Sequence, residues 1–168
     1  DVHFVPHSAT IGQKINFATG LPTTYSLAYT TTTAYSGGVL APNGDIHFVP
    51  YSARIGQKIN FATGLPSTYS LAYTTPLSYV GGVLAPNGDI YFVPYNAILG
   101  QKINFATGLA STYSLPFTGS NLYYGGVLSP NGDIYLVPRN TGRGQIIHTN
   151  SARPFDFATA ASPFLNKL

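Results

Sequence analysis

The phrase GGVLAPNGDIHFVP at residues 37–50 returns as GGVLAPNGDIYFVP at 81–94 and as GGVLSPNGDIYLVP at 125–138, and the chain opens on DVHFVP, the second half of the same phrase. Aligned on the proline that closes it, Pro6, Pro50, Pro94 and Pro138 follow at a constant step of 44 residues. A step held without insertion or deletion means one structural unit copied in tandem. GQKINFATG keeps the step from Gly12, Gly56 and Gly100, and the copies at 1–44 and 45–88 differ at only eight of 44 positions.

Inside a unit every local signal is β. GGVLAP is a short apolar run, and Asn-Gly, the favoured pair for a two-residue type I′ turn, leads into DIHFVP. A bend at YSARIG precedes KINFA, whose Ile and Phe alternate with Lys and Asn. Thr-Gly-Leu-Pro then turns the chain into STYSLAY, where Tyr69, Leu71 and Tyr73 share one face. The unit therefore reads as four strands, a to d, and no window carries capped helical periodicity. One such unit cannot bury its apolar side chains alone, so it has to stack on its neighbours.

Four antiparallel strands in a repeat of this length predict an all-β β-propeller, with a β-solenoid as the alternative. Solenoid coils are shorter and lack a tight hairpin in each turn. The expected blades are 1–36 (without strand a), 37–80, 81–124 and a diverged, capping 125–168, about 3.75 blades in a single repeat domain. The phrases GGVLAPNGDIYFVP and KINFATG resemble blades of the broad NHL, YVTN and SMP-30-like class. That resemblance implies the propeller fold and leaves function open, because the class holds binding modules, surface proteins, lactonases and lyases.

The chain has 168 residues, no Cys, Met, Trp or Glu, 13 Tyr, 18 Gly and only 8% charged residues. This composition matches extracellular or cell-surface β proteins. A net charge of +3, with one Lys per repeat, is no nucleic-acid footprint, and no apolar stretch is long enough to span a bilayer. The start inside a repeat, without Met, leads us to expect either part of a longer chain or a sequence lacking its true start. The open arc is expected to be completed by other copies of itself or by a missing segment of the same chain, with glycans as further partners.

Between copies the a–b turn stays PNGD and the c–d turn ATGL, while the b–c bend and the d–a connection vary. In a propeller blade these two variable connections share one face of the disc. The candidate recognition face is therefore Tyr35, Tyr51, Arg54, Tyr79, Tyr95, Tyr123 and Tyr124, although a tyrosine kept in every d–a connection also suits packing at the blade edge. Asp45, Asp89 and Asp133 sit in separate blades, too far apart in kind to supply calcium's six to eight oxygens. Lys14, Lys58 and Lys102 are expected to be solvated or paired with a neighbouring blade, and His7 and His148 to stand isolated. With no Glu and no Cys, no acid–base pair or thiol nucleophile is legible.

The expectation is a non-enzymatic extracellular scaffold that interacts with itself or other surface components, with no cofactor, no metal and no catalytic residues. A lectin-like carbohydrate-binding propeller and a lyase or lactonase propeller are the alternatives.

Overall fold

The computed structural model describes residues 1–149. These residues form fourteen strands and no helix, arranged as four antiparallel sheets. The first sheet joins β1 (Val2–Phe4), β2 (Ile11–Ile15) and β3 (Pro22–Ser26) in chain order. The second joins β4 (Tyr35–Leu40), β5 (Ile46–Pro50), β6 (Gly56–Ile59) and β7 (Pro66–Tyr69), and the third β8 (Tyr79–Leu84), β9 (Ile90–Pro94), β10 (Leu99–Ile103) and β11 (Ala110–Ser114). The fourth holds β12 (Tyr123–Leu128), β13 (Ile134–Pro138) and β14 (Gln145–Ile147). Every sheet is an up-and-down meander drawn from one repeat, which excludes a solenoid, whose sheets run across repeats. The expected capping by the tail concerns residues 150–168, which lie outside the described residues.

The core lies between blades. Val39, Ala41 and Val49 of the second sheet meet Tyr79, Ile90, Phe92 and Ile103 of the third, and Val83, Tyr91 and Val93 of the third meet Tyr123, Ile134 and Leu136 of the fourth. Close approach of the inner strands explains the glycine pair. A Cβ on Gly82 would lie 2.6 Å from Val39 Cγ2, and one on Gly126 would lie 2.8 Å from Val83 Cγ2, so a side chain there would drive neighbouring blades apart. The inner strands start at Tyr35, Tyr79 and Tyr123, two residues before the glycine pairs, and a register shift follows each of these tyrosines.

The a–b connection differs from the two-residue turn expected of Asn-Gly. Gly44 N–H donates to Ala41 O (2.9 Å) and Ala41 N–H to Asp45 O (2.8 Å), enclosing the three residues Pro42, Asn43 and Gly44. Gly44 has φ +86° while Asn43 stays at negative φ. Pro42 causes the change: its ring holds φ negative at the first loop position, which suits a type I turn closed by a left-handed glycine and forbids type I′.

The conserved-step Asp and Lys also meet differently from expectation. Asp45 Oδ2 accepts from Lys58 Nζ at 2.7 Å and its Oδ1 from the Phe61 amide at 2.9 Å; Asp89 repeats this with Lys102 and Phe105 at 2.8 and 3.0 Å. The lysines thus pair inside their own blade, strand b to strand c, and tie the a–b turn to the c–d turn. Asp133 is taken up by His148, whose Nδ1 lies 3.1 Å from Asp133 Oδ1, so His148 is not isolated.

Candidate functional site

The b–c bends and d–a connections come together through a belt of backbone hydrogen bonds. His7 O accepts from Ala34 N–H (2.9 Å), whose own carbonyl accepts from Tyr51 N–H (2.9 Å). Tyr51 O then accepts from Ser78 N–H (3.1 Å), Ser78 O from Tyr95 N–H (2.7 Å), Tyr95 O from Leu122 N–H (3.0 Å) and Leu122 O from Arg139 N–H (2.8 Å). Tyr51 and Tyr95 are each pinned both to the start of their own inner strand and to the start of the next, His7 to the next alone and Arg139 to its own. Blades fan outward, so equivalent residues approach each other this closely only beside the central axis.

The side chains on this belt form a row whose chemistry differs along the repeat: His7, Tyr51, Tyr95, Arg139. The His7 and Tyr51 rings have centroids 5.8 Å apart, as do Tyr51 and Tyr95. Arg139 Nη1 donates to Tyr95 OH at 2.9 Å, and its guanidinium lies 5.4 Å from the Tyr95 ring and 5.1 Å from that of Tyr124. Cation–π contact with two rings fixes the guanidinium plane on an exposed surface. Burial, then the neighbouring Tyr95, raises the Tyr51 phenol above its ordinary pKa, so Tyr51 stays a neutral donor and acceptor. Row and belt together make a rigid strip with an imidazole at one end and a guanidinium at the other.

Of the seven residues expected to face a ligand, the structure brings Tyr51, Tyr95 and Tyr124 onto this strip. Arg54 is exposed further along its bend. Tyr35, Tyr79 and Tyr123 are fully buried, which corrects their place in the recognition face. Their rings belong to the inter-blade core: Tyr35 packs on Phe48 with centroids 5.5 Å apart and donates to Ile55 O, and Tyr79 packs on Phe92 at 5.6 Å and donates to Leu99 O. Burial pushes the Tyr35 and Tyr79 phenols far up, so neither titrates in water's ordinary range. Neither His7, expected to stand isolated, nor Arg139 was among the residues expected on the recognition face. The signal was available, since both lie at the step of 44 from Tyr51 and Tyr95. Among the described residues no three His or Asp side chains gather as a metal site.

No family model matches the chain, and no curated protein matches it. Solved structures do. A streptogramin B lyase is 23% identical with a TM-score of 0.66, over 86% of this chain and 49% of that one. The virginiamycin B lyase of Staphylococcus aureus is 26% identical with a TM-score of 0.65, over 84% of this chain and 48% of that one. The extracellular domain of a putative one-component system from B. thetaiotaomicron is 17% identical with a TM-score of 0.61, over 86% of this chain and 18% of that one. The fold is an open arc of a β-propeller. It spans about half the length of the two lyases. Their likeness overturns the expectation of a non-enzymatic chain, because the structures that this arc resembles include enzymes.

Proposed function

We propose that this arc is part of the wall of a lyase-type propeller and that the strip at its mouth binds and helps to open a ring-bearing substrate. The observation that carries the proposal is the row itself. Among the positions at which these near-copied blades diverge, this one places an imidazole, two phenols and a guanidinium in one row, on a scaffold shared with streptogramin B and virginiamycin B lyases. In an elimination at a C–O bond a base removes a proton from the carbon next to a carbonyl, the electron pair forms a C=C bond, and the oxygen leaves with its bonding pair. His7 is the group on the strip able to accept that proton. Arg139, held by Tyr95 and Tyr124, is the fixed cation able to face the charge gathering on oxygen. Tyr51 and Tyr95 offer faces on which a flat or ring-shaped ligand can lie. The NHL-, YVTN- and SMP-30-like blade pattern and an extracellular or surface location belong to the same proposal, supported by composition and by the one-component-system domain.

The test is incubation of the protein with virginiamycin B, followed by chromatography and mass spectrometry. Product of unchanged mass, lost in Arg139→Ala and His7→Ala, supports a lyase. Product heavier by one water would make it a hydrolase, and unaltered substrate in the presence of folded protein would overturn the reading for this substrate.

A carbohydrate ligand is the second reading, favoured by the half-exposed Tyr51 and Tyr95 rings, whose 5.8 Å spacing suits stacking. Glycan binding that weakens in Tyr51→Ala and Tyr95→Ala, with no turnover, would select it.

A further inference from the structure

The second and third blades each hold all four strands, and between them lies a cavity of about 150 Å³, at the end of the sheets that carries the a–b and c–d turns. Its two walls differ. The second blade supplies His47 of β5, Lys58 of β6 and Tyr69 of β7, while the third supplies Ile90 of β9, Ile103 of β10 and Phe105 of the c–d turn. A polar wall therefore faces an apolar one.

His47 sets the chemistry of the polar wall. It is 8% exposed, and its Nδ1 lies 3.3 Å from Tyr69 OH, whereas Nε2 has no hydrogen-bond partner among the described residues. An unpaired nitrogen on so buried a residue favours any ligand group that bonds it. Burial and the Lys58 charge keep the ring neutral, so Nε2 offers one donor or one acceptor and no charge. Lys58 brings no net charge either, because Asp45 holds its ammonium at 2.7 Å. An ionic ligand would lose its water here without gaining a counter-charge.

Size and the apolar wall narrow the class further. A cavity of roughly 150 Å³ accepts a benzene-sized molecule. Ile90, Ile103 and Phe105 suit the flat face of such a ring, and would leave the hydroxyls of a sugar unpaired. The next blade offers a comparison within the chain. Tyr91 stands at the step of His47, 6% exposed, with its ring centroid 5.8 Å from that of Tyr113 and 5.4 Å from Lys102 Nζ. Tyr113 and Lys102 are the counterparts of Tyr69 and Lys58, so this fold already seats a phenol ring beside that pair.

We propose that the cleft between the second and third blades binds an uncharged phenol, its ring against Ile90, Ile103 and Phe105 and its hydroxyl bonded to His47 Nε2. The cleft lies at the opposite end of the sheets from the strip of His7 and Arg139. Its test reads occupancy and not turnover, so it stands apart from the lyase reading.

The folded chain is titrated with phenol while the His47 imidazole and Ile103 methyl resonances are followed by NMR. Saturable shifts of both are expected, with a dissociation constant of roughly 1 mM, as a ligand of so few atoms implies. Benzene, which lacks the hydroxyl, and methyl glucoside, which lacks the flat apolar face, are expected to bind about tenfold more weakly or less. His47→Tyr copies the third blade, removes Nε2 and fills the cleft, and is expected to abolish the Ile103 shift. Phe105→Ala, at a residue 40% exposed, carries the test independently and is expected to weaken phenol about tenfold. No saturable shift at ten times the expected constant overturns the proposal, as does equal binding of benzene or tighter binding of the glucoside. Parent-like phenol binding by folded His47→Tyr or Phe105→Ala chains overturns it too.

Discussion

Gln57 reaches out of its own blade to accept the backbone N–H of Tyr29 in the blade before, at 2.7 Å, and Gln101 does the same for Tyr73 at 2.7 Å. Both glutamines are 0% exposed, so each hydrogen bond is made between blades and away from water. Gln13, at the same step in the first blade, is exposed. Replacing Gln57 by Leu keeps the side-chain volume and strands the Tyr29 N–H, at an expected cost of about 1–3 kcal/mol. Gln13→Leu is expected to stay within about 0.5 kcal/mol of the parent. Urea unfolding of the two variants checks the contrast, and equal midpoints would show that the glutamines do not join blades.

The Asp–Lys pairs predict acid sensitivity. Burial raises the Asp89 pKa, but the Lys102 hydrogen bond and the Phe105 amide outweigh it, leaving the folded carboxyl below its ordinary 3.8; Asp45 behaves alike with Lys58 and Phe61. A carboxyl depressed in the folded state contributes stability that is full above the unfolded value and lost as pH falls through the folded one. Unfolding midpoints are therefore expected to drop below about pH 4, the ordinary carboxylate range. Asp89→Asn costs about 1–3 kcal/mol at neutral pH, through the unpaired Lys102 and Phe105 groups, and shows a shallower acid limb. An acid limb identical to the parent's would count against the pair.

His47 predicts a second, higher window. Burial first, and the Lys58 charge second, lower its pKa from 6.5 to about 4 against a smaller opposing effect of Asp45. The folded state holds this ring neutral, so its contribution is complete above the unfolded value and is lost as pH falls from 6.5 toward 4. Tyr91 takes the equivalent place one blade on, against Tyr113 with ring centroids 5.8 Å apart, as His47 stands 5.3 Å from Tyr69. His47→Tyr is thus accommodated and is expected to remove on the order of 1–3 kcal/mol of the stability lost between pH 7 and 4.5. Thermal melts across that range measure it.

The blade was legible because its determinants are local: glycines where inner strands touch, Pro-Asn-Gly-Asp at one turn, Asn-Phe-Ala-Thr-Gly at the other. The tyrosines were misplaced because an aromatic residue in a variable connection reads as surface. Their burial depends on the inner strand beginning two residues early and on Phe48 or Phe92 from the adjoining strand, a tertiary fact. The strip was half legible. Tyr51 and Tyr95 were read from the bends, but His7 and Arg139 join them only because the belt brings four blades to one radius, and neither residue type marks that by itself. The lysines were read as solvated or as paired across blades, since spacing alone cannot say which carboxylate a flexible ammonium reaches.

Thr33, Leu77 and Asn121 hold φ of 55°, 59° and 55°, and each immediately precedes a belt residue, Ala34, Ser78 or Leu122. The left-handed region costs an L-residue roughly 1–2 kcal/mol, less for Asn, whose short amide bonds locally. The belt imposes this conformation: reversing the chain into the inner strand while offering both N–H and C=O of the next residue to two bends needs the left-handed step. Leu77 is 39% exposed, so little packing is lost on replacing it. Leu77→Asn, which copies the next blade, is therefore expected to raise stability by about 0.5–1 kcal/mol, and Leu77→Ile to lower it by about 1 kcal/mol, because β-branching makes the left-handed region harder to reach. Urea midpoints decide between this and a relaxed turn, for which both substitutions would be neutral.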